Sequence, residues 1–211
     1  MLAFTRLTNF VFFLLSSSLL VCAVPAPVMH SQMHGKTHAL STRGHQEGAG
    51  NVKVFMGAVV DLKAKVAARA DLIANIKTDA LVQAQVEIDL LIADIELCST
   101  AIADLKNLNI DAKLKASIAG HVLVVVKAII KICGSLTTKF GIQVFLELFA
   151  KLDACLKVLL RSLDVCTDSF LVVLAKLLVE VDLRALIEAK LIICHDLFVL
   201  VRAAVGITIG A

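Results

Sequence analysis

The most reactive side chains in this sequence belong to its cysteines and histidines. One tripeptide, Cys194-His195-Asp196, contains the residue types of a cysteine-nucleophile site. Consecutive residues on a helix point about 100° apart, so these three side chains are not expected to converge on a substrate. The sequence also contains no glycine-rich phosphate loop, no His-Glu-x-x-His zinc motif and no Gly-x-Ser-x-Gly nucleophile elbow. We therefore expect a protein that is not an enzyme and that carries no cofactor.

Three histidines spaced four residues apart form a candidate metal site: His30, His34 and His38. On a helix their imidazoles would share one face, and the methionines between them could add soft thioether ligands for copper. Gly35 and the loop-like composition around it argue against a preformed helical site. The favoured interpretation is a polar segment whose histidines bind no metal, with weak metal binding as the alternative.

Five cysteines follow the first 23 residues: Cys98, Cys133, Cys155, Cys166 and Cys194. Their spacing lacks the Cys-x-x-Cys pairs of a zinc site. In an oxidising compartment such cysteines are usually disulfide-bonded. The sequence therefore predicts a disulfide-linked fold.

The predicted turns of the chain indicate which cysteines pair. In a bundle whose helices alternate in direction, Cys98 and Cys155 lie at similar distances before two of the turns, and so at one level. Cys133 and Cys194 fall together at the opposite end. We predict the disulfides Cys98–Cys155 and Cys133–Cys194, which leaves Cys166 free or intermolecular. Other pairings of the five cysteines remain open from the sequence.

Residues 1–23 have the features of a secretory signal peptide. Arg6 supplies a positive charge, an apolar stretch follows it, and Val21-Cys22-Ala23 ends the segment with short side chains. We therefore predict cleavage after Ala23 and a secreted, extracellular protein. Residues 24–50 contain both prolines and four of the six histidines, with few apolar residues in periodic order. This composition predicts a disordered His/Gly/Ser-rich segment.

The charges of the chain are nearly balanced. There are 21 Lys and Arg residues against 18 Asp and Glu residues, which gives a formal net charge of +3 at pH 7. They form neither a basic cluster typical of a nucleic-acid interface nor a polybasic run that binds anionic lipid headgroups, so no nucleic-acid partner is expected. Beyond the signal peptide, no run of about 18 uncharged apolar residues occurs. We therefore expect no transmembrane span in the mature chain.

From Asn51 onwards the chain contains no proline, and its apolar residues recur at alternating spacings of three and four. The clearest series is Leu81, Ala84, Ile88, Leu91, Ile95, Cys98, Ile102 and Leu105. Capping and helix-breaking residues, among them Asn109 and Asp111, interrupt the pattern between helices. We predict an all-α fold: an up-down bundle of four or five long amphipathic helices, disulfide-linked, over residues 51–205, with a flexible tail at 206–211.

Residues 171–201 are apolar enough to resemble a segment that faces lipid. Charged residues nevertheless recur at every fourth position, namely Lys176, Glu180, Arg184 and Glu188. On a single helix these side chains would lie on one side and form i,i+4 ion pairs. The pattern therefore predicts one amphipathic helix with a broad apolar face.

The layout of the chain resembles that of small secreted cell-wall and aerial-hyphae adhesion proteins of mushroom-forming (basidiomycete) fungi. The shared features are a signal peptide, a polar His/Gly/Ser segment and a helical half rich in Ala, Leu and Val, and the segment LCSTAIADLKNL at residues 97–108 is similar to these proteins. In size and secretion the chain also resembles fungal hydrophobic-surface-binding proteins. The resemblance implies a non-catalytic role in adhesion and aerial hyphal growth, at the cell wall.

Two classes of function remain for a chain in which 59% of the residues are hydrophobic. The main hypothesis is a secreted structural, wall-associated or surface-active protein, whose partners are copies of itself, the wall or hydrophobic surfaces. The alternative is a secreted helical carrier of lipid or another apolar small ligand. If every apolar face were buried in one core, neither would hold, and the sequence does not show which faces are exposed.

Overall fold

The computed structural model describes residues 43–105 and 108–207, with side chains described from Gly50 onwards. Throughout these residues the chain is helical, without strands, which confirms the all-α prediction. The predicted signal peptide, the histidines His30, His34 and His38, and most of the predicted tail lie outside the described residues. The elements are α1 (Arg43–Asn75), α2 (Leu81–Ala103), α3 (Ala112–Phe140), a 3-10 turn (Ile142–Val144), α4 (Leu146–Cys166), α5 (Phe170–Leu177), α6 (Glu180–Glu188) and α7 (Ile192–Ala204).

The four long helices surround most of the core. Helix α1 packs against both α2 and α3, and the other side of α2 packs against α4. The short helices α5 and α7 close the bundle, because α5 packs on α3 and α7 packs on α4. Phenylalanines fill its largest buried positions, at Phe55, Phe145, Phe149, Phe170 and Phe198.

The periodic apolar residues of the sequence form the buried face of α2. Six members of the series from Ala84 to Ile102 are buried there. Helix α3 begins as its sequence predicts, since the Asp111 carboxylate accepts a hydrogen bond from the Leu114 amide at 2.7 Å. It ends at Gly141, whose φ of +82° lies in the region that glycine enters without steric cost. Helix α1 begins at Arg43, ahead of the predicted domain boundary at residue 51.

The prediction of one helix over residues 171–201 is wrong, because three short helices occupy this stretch. The first break follows α5, where the Asp182 carboxylate accepts a hydrogen bond from the Val179 amide at 3.1 Å and so starts α6. The second break follows α6, where Lys190 adopts a φ of +62°. The ladder of charges at every fourth residue is therefore interrupted. With seven helices in the described residues, three of them short, the bundle of four or five long up-down helices is not supported.

One described helix, α3, is long and apolar enough to cross a membrane by length and composition. In this fold its apolar residues pack against α1 and α5, and nine of them are buried. Its exposed Lys127 pairs with Asp182 of α6, with 3.1 Å between Nζ and Oδ1. The buried face of α3 therefore contributes to the core of the bundle.

Candidate functional site

All five cysteines in the described residues are buried free thiols, so the predicted disulfide linkage is not supported. Burial raises the pKa of Cys98, Cys133 and Cys155 from the ordinary 9.0 to about 12. It also raises the pKa of Cys166 and of Cys194. These thiols therefore stay protonated at neutral pH and are poor nucleophiles.

The direction of the side chains explains why the first predicted pair is not formed. The Cys98 thiol faces α1, where its Sγ lies 3.5 Å from the carbonyl oxygen of Ala58. Cys155 of α4 lies beside Ser99, which points about 100° away from Cys98 on α2, and its thiol donates to the Leu152 carbonyl at 3.1 Å. Cys98 thus faces α1 whereas Cys155 lies at the contact between α2 and α4, although both lie near one level of the bundle.

The second predicted pair, Cys133–Cys194, is not formed, and Cys194 instead contacts Asp153 of α4. The Cys194 Sγ lies 3.5 Å from the backbone oxygen of Asp153. The carboxylate of Asp153 also contributes to the raised pKa of Cys133, after burial. Cys166, which was predicted to be free or intermolecular, directs its Sγ to the carbonyl oxygens of Ile102 and Leu105 at the end of α2.

Asp153 is a buried acid that the sequence analysis missed, with only 2% of its surface exposed. Its two carboxylate oxygens accept hydrogen bonds from the amides of Ile193, at 2.6 Å, and Cys194, at 2.9 Å. These amides belong to the first turn of α7, which has unpaired donors and a positive dipole end. The signal in the sequence is an acid within the apolar stripe of α4. Asp153 therefore positions α7 on α4.

The tripeptide Cys194-His195-Asp196 does not form a converging site. The His195 ring and the Asp196 carboxylate contact each other, with 3.0 Å between Nδ1 and Oδ1. The Cys194 thiol points away into the core, towards Asp153. Within the residues that the structure describes, no group of three or more His, Cys, Asp or Glu side chains could hold a metal ion.

A cavity of about 330 Å³ opens between α2 and α4. Five side chains line it: Glu96, Ser99, Thr100, Cys155 and Val158. Ser99 and Thr100 donate their hydroxyl protons to carbonyl oxygens of their own helix, those of Ile95 and Glu96, each at 2.9 Å. Their oxygens keep free lone pairs that can accept hydrogen bonds. We name this the α2–α4 cavity, and the sequence analysis had not identified any of its residues as a ligand site.

Two further cavities lie along α1. One, of about 180 Å³ between α1 and α2, contains Lys65, which pairs with Asp61 at 2.9 Å and with Asp94 at 3.7 Å. The other, of about 280 Å³, lies at the turn between α1 and α2 and includes Lys77 and Gln83. Both are more charged or amide-rich than the α2–α4 cavity.

Apolar side chains also form a stripe on the outer surface of α2. Its members are Val82, Val86, Leu90 and Leu97, of which Val82 is 72% exposed and Leu97 62% exposed. At 100° per residue these four positions fall within about 80° of the helix circumference. We name them the α2 stripe. The apolar residues of this chain are thus divided between a buried core and an exposed surface.

Comparison with known proteins finds similarity in structure and not in sequence. No family model matches the chain, and no curated protein matches it. Its fold is similar to that of AFMP4P, whose crystal structure was solved in complex with palmitic acid. The TM-score is 0.51 at 14% sequence identity, over 71% of this chain and 98% of AFMP4P. This similarity supports a shared helical fold.

Proposed function

We propose that this protein is a secreted, non-catalytic helical carrier that binds a single-chain lipid or similar apolar ligand in the α2–α4 cavity. The observation that carries the proposal is the fold that the chain shares with a protein solved in complex with palmitic acid. The α2–α4 cavity supplies a place for such a ligand between two long helices.

The size and lining of the α2–α4 cavity suit the end of an alkyl chain. Ligand sites usually measure about 300–1,000 Å³ and combine apolar walls with a few polar groups. The volume of about 330 Å³ falls at the lower end of that range. Burying each methylene contributes about 0.8 kcal/mol and association costs about 4 kcal/mol or more, so a fully buried dodecyl chain is expected to bind with a Kd on the order of 0.1 mM.

A pair of tryptophan substitutions on α4 tests the location of the site. Val158 lines the α2–α4 cavity, whereas Val165 is equally exposed on the same helix and does not line it. We expect V158W to weaken binding of 1-dodecanol at least tenfold, because the indole fills the cavity. V165W should change binding less than twofold. Isothermal titration calorimetry below the solubility limit of 1-dodecanol, with native mass spectrometry for stoichiometry, measures binding by both variants.

Two outcomes would contradict the proposal. One is the absence of 1-dodecanol binding to the wild-type chain. The other is equal binding by V158W and V165W, which would place the ligand elsewhere. Near-equal unfolding midpoints of the two variants would show that any difference between them reflects the site and not the fold.

The α2 stripe favours a second candidate function, a surface-active protein of the fungal cell wall that supports adhesion or aerial hyphal growth. Contiguous exposed apolar residues usually mark surfaces that bind other molecules or adsorb at interfaces. Such a protein would associate with itself, with the wall or with hydrophobic surfaces through Val82, Val86, Leu90 and Leu97. Its retention in a wall fraction and its lowering of surface tension are the corresponding measurements.

A further inference from the structure

We propose that the α2–α4 cavity selects apolar chains whose headgroup donates hydrogen bonds, a hydroxyl or an ammonium group, over chains that end in an ionised carboxylate. This inference rests on the proposed function and names the ligand class of the same cavity. It depends on which hydrogen-bonding groups of the cavity are already in use.

The donors that line the cavity are occupied by the protein itself. The Ser99 hydroxyl donates to the Ile95 carbonyl and the Thr100 hydroxyl donates to the Glu96 carbonyl, each at 2.9 Å. The Cys155 thiol donates to the Leu152 carbonyl at 3.1 Å. A ligand therefore meets hydroxyl lone pairs and a carboxylate, all of which accept hydrogen bonds.

The charge of the lining residues also favours a headgroup that donates hydrogen bonds over an ionised carboxylate. Glu96 supplies a carboxylate, and none of the other four lining residues is Lys, Arg or His. The negative charge of Glu96 is felt inside the cavity, because it adds to burial in raising the pKa of Cys155 to about 12. One turn before Cys155 on α4, Lys151 is paired with Glu147 at 2.9 Å. An ionised carboxylate in the cavity would thus meet like charge and no free donor.

The cavity at the α1–α2 turn has the opposite chemistry. Lys77 and the amides of Asn75 and Gln83 are among its lining residues, and these side chains donate hydrogen bonds. A carboxylate headgroup would be better accommodated there. Selectivity at the α2–α4 cavity can therefore be separated from any binding of fatty acids at the turn.

Three ligands of equal chain length test the inference on the full chain: 1-dodecanol, dodecylamine and dodecanoate, titrated by calorimetry at pH 7.5. We expect the alcohol and the amine to bind at least fivefold tighter than dodecanoate, the size of effect that an exposed charge and an unpaired headgroup produce. E96Q should strengthen dodecanoate binding and weaken dodecylamine binding, each about three- to fivefold. D71N removes an exposed carboxylate of α1, outside the cavity, and should change the affinity for each of the two ligands less than twofold.

The ligand panel distinguishes the possible sources of the selectivity. A gain for dodecylamine over 1-dodecanol that E96Q removes identifies the charge of Glu96 as the selecting group. Equal affinities for dodecylamine and 1-dodecanol would identify the hydroxyl lone pairs of Ser99 and Thr100 as the selecting groups. Dodecanoate binding as tight as the other two, sensitive to V158W but not to E96Q, would overturn this inference and leave the proposed function standing. Failure of all three ligands to bind would overturn both.

Discussion

Asp153 holds the first turn of α7 through two hydrogen bonds to backbone amides, and its own side chain is buried. We expect D153A to lower the free energy of unfolding by about 2–3 kcal/mol, because the variant leaves two buried amide donors without partners. D153N keeps one carbonyl oxygen as an acceptor and should lose about half as much. Urea unfolding followed by circular dichroism measures both changes.

The matched control for Asp153 is D168A, which removes an exposed aspartate in the turn that follows the same helix. Its effect should stay within about 0.5 kcal/mol, as is usual for exposed positions. If D153A were as stable as D168A, the hydrogen bonds from α7 to Asp153 would not contribute to the fold.

Cys155 gives a pH dependence whose sign follows from its raised pKa. The thiol has an ordinary pKa of 9.0 when unfolded and a pKa of about 12 in the fold, chiefly because it is buried. The protonated Cys155 thiol therefore makes its full contribution to the free energy of unfolding below about pH 9. This contribution is lost as the pH rises towards 12. We expect the stability advantage of the wild type over C155A to shrink by about 2.7 kcal/mol between pH 7 and pH 11.

Guanidinium unfolding at pH 7, 9 and 11 measures this difference. The lysines also titrate in this range, but their effect on stability cancels in the difference because both proteins contain the same lysines. V158A is a nearby substitution that removes no titrating group. The difference in the free energy of unfolding between V158A and the wild type should therefore stay constant across this pH range. An equally constant difference for C155A would contradict the buried-thiol interpretation.

The cysteines show how far residue-level prediction reaches. Helical periodicity placed Cys98 on the buried face of α2, and the turns placed it near the level of Cys155. Which neighbouring helix each thiol faces depends on how α1 and α4 pack around α2, and no local pattern encodes that. The lining of the α2–α4 cavity was missed for the same reason. Ser99 and Thr100 look like ordinary helical residues until α4 is placed beside them.

At the scale of elements, the long helices could be predicted because local side chains fix their ends. Asp111 caps α3, and Gly141 ends it with a positive φ. The breaks on either side of α6 carry no glycine or proline, so periodicity alone extends one helix through them. The first break is stabilised by distant residues: Lys127 of α3 pairs with Asp182, and Arg202 of α7 contacts the Leu178 carbonyl at 3.4 Å. Such contacts are invisible in the sequence.

Lys190 allows a direct test of the second break. Its φ of +62° is left-handed, and the amides of Lys190 and Leu191 bond back to the carbonyls of Ile187 and Leu186 in the manner of a Schellman C-cap. K190G should raise the free energy of unfolding by about 0.5–1 kcal/mol. The relief of left-handed strain, about 1–2 kcal/mol, exceeds the added entropy of glycine in the unfolded chain.

K176G is the matched control, because Lys176 is an exposed lysine within α5. Glycine there should cost about 1 kcal/mol, as it does in ordinary helical positions. Thermal unfolding of the two variants should therefore shift in opposite directions. A loss of stability in both would mean that residues 188–192 are helical in solution, as the periodicity of the sequence predicts.

At the scale of the whole molecule, the division of apolar residues between core and surface decides between the two candidate functions. The sequence predicts the buried face of each long helix, because that face must meet a neighbour. It does not predict the α2 stripe as exposed, because valine and leucine at Val82 and Leu97 would look the same if another helix covered them. A carrier needs the α2–α4 cavity, whereas a surface-active protein needs the stripe.

Substitution of the α2 stripe separates these functions. The triple variant V82Q/V86Q/L90Q keeps the net charge and the helix propensity while removing three exposed apolar side chains. Each such side chain contributes about 1 kcal/mol when it is covered by an apolar surface, since roughly half of its area becomes buried. The variant should therefore adsorb to an alkane-coated sensor at least tenfold more weakly than the wild type, with ligand affinity in the α2–α4 cavity unchanged.

The control for the stripe removes three exposed apolar side chains from scattered positions, in the variant V54Q/V165Q/V205Q. Because these valines lie on different elements, the loss of adsorption should be less than threefold. Equal adsorption by the wild type and the stripe variant would remove the support for a surface-active role and leave ligand binding as the better-supported function. A stripe variant that loses adsorption but still binds 1-dodecanol would show that one bundle carries two independent apolar sites, one outside α2 and one between α2 and α4.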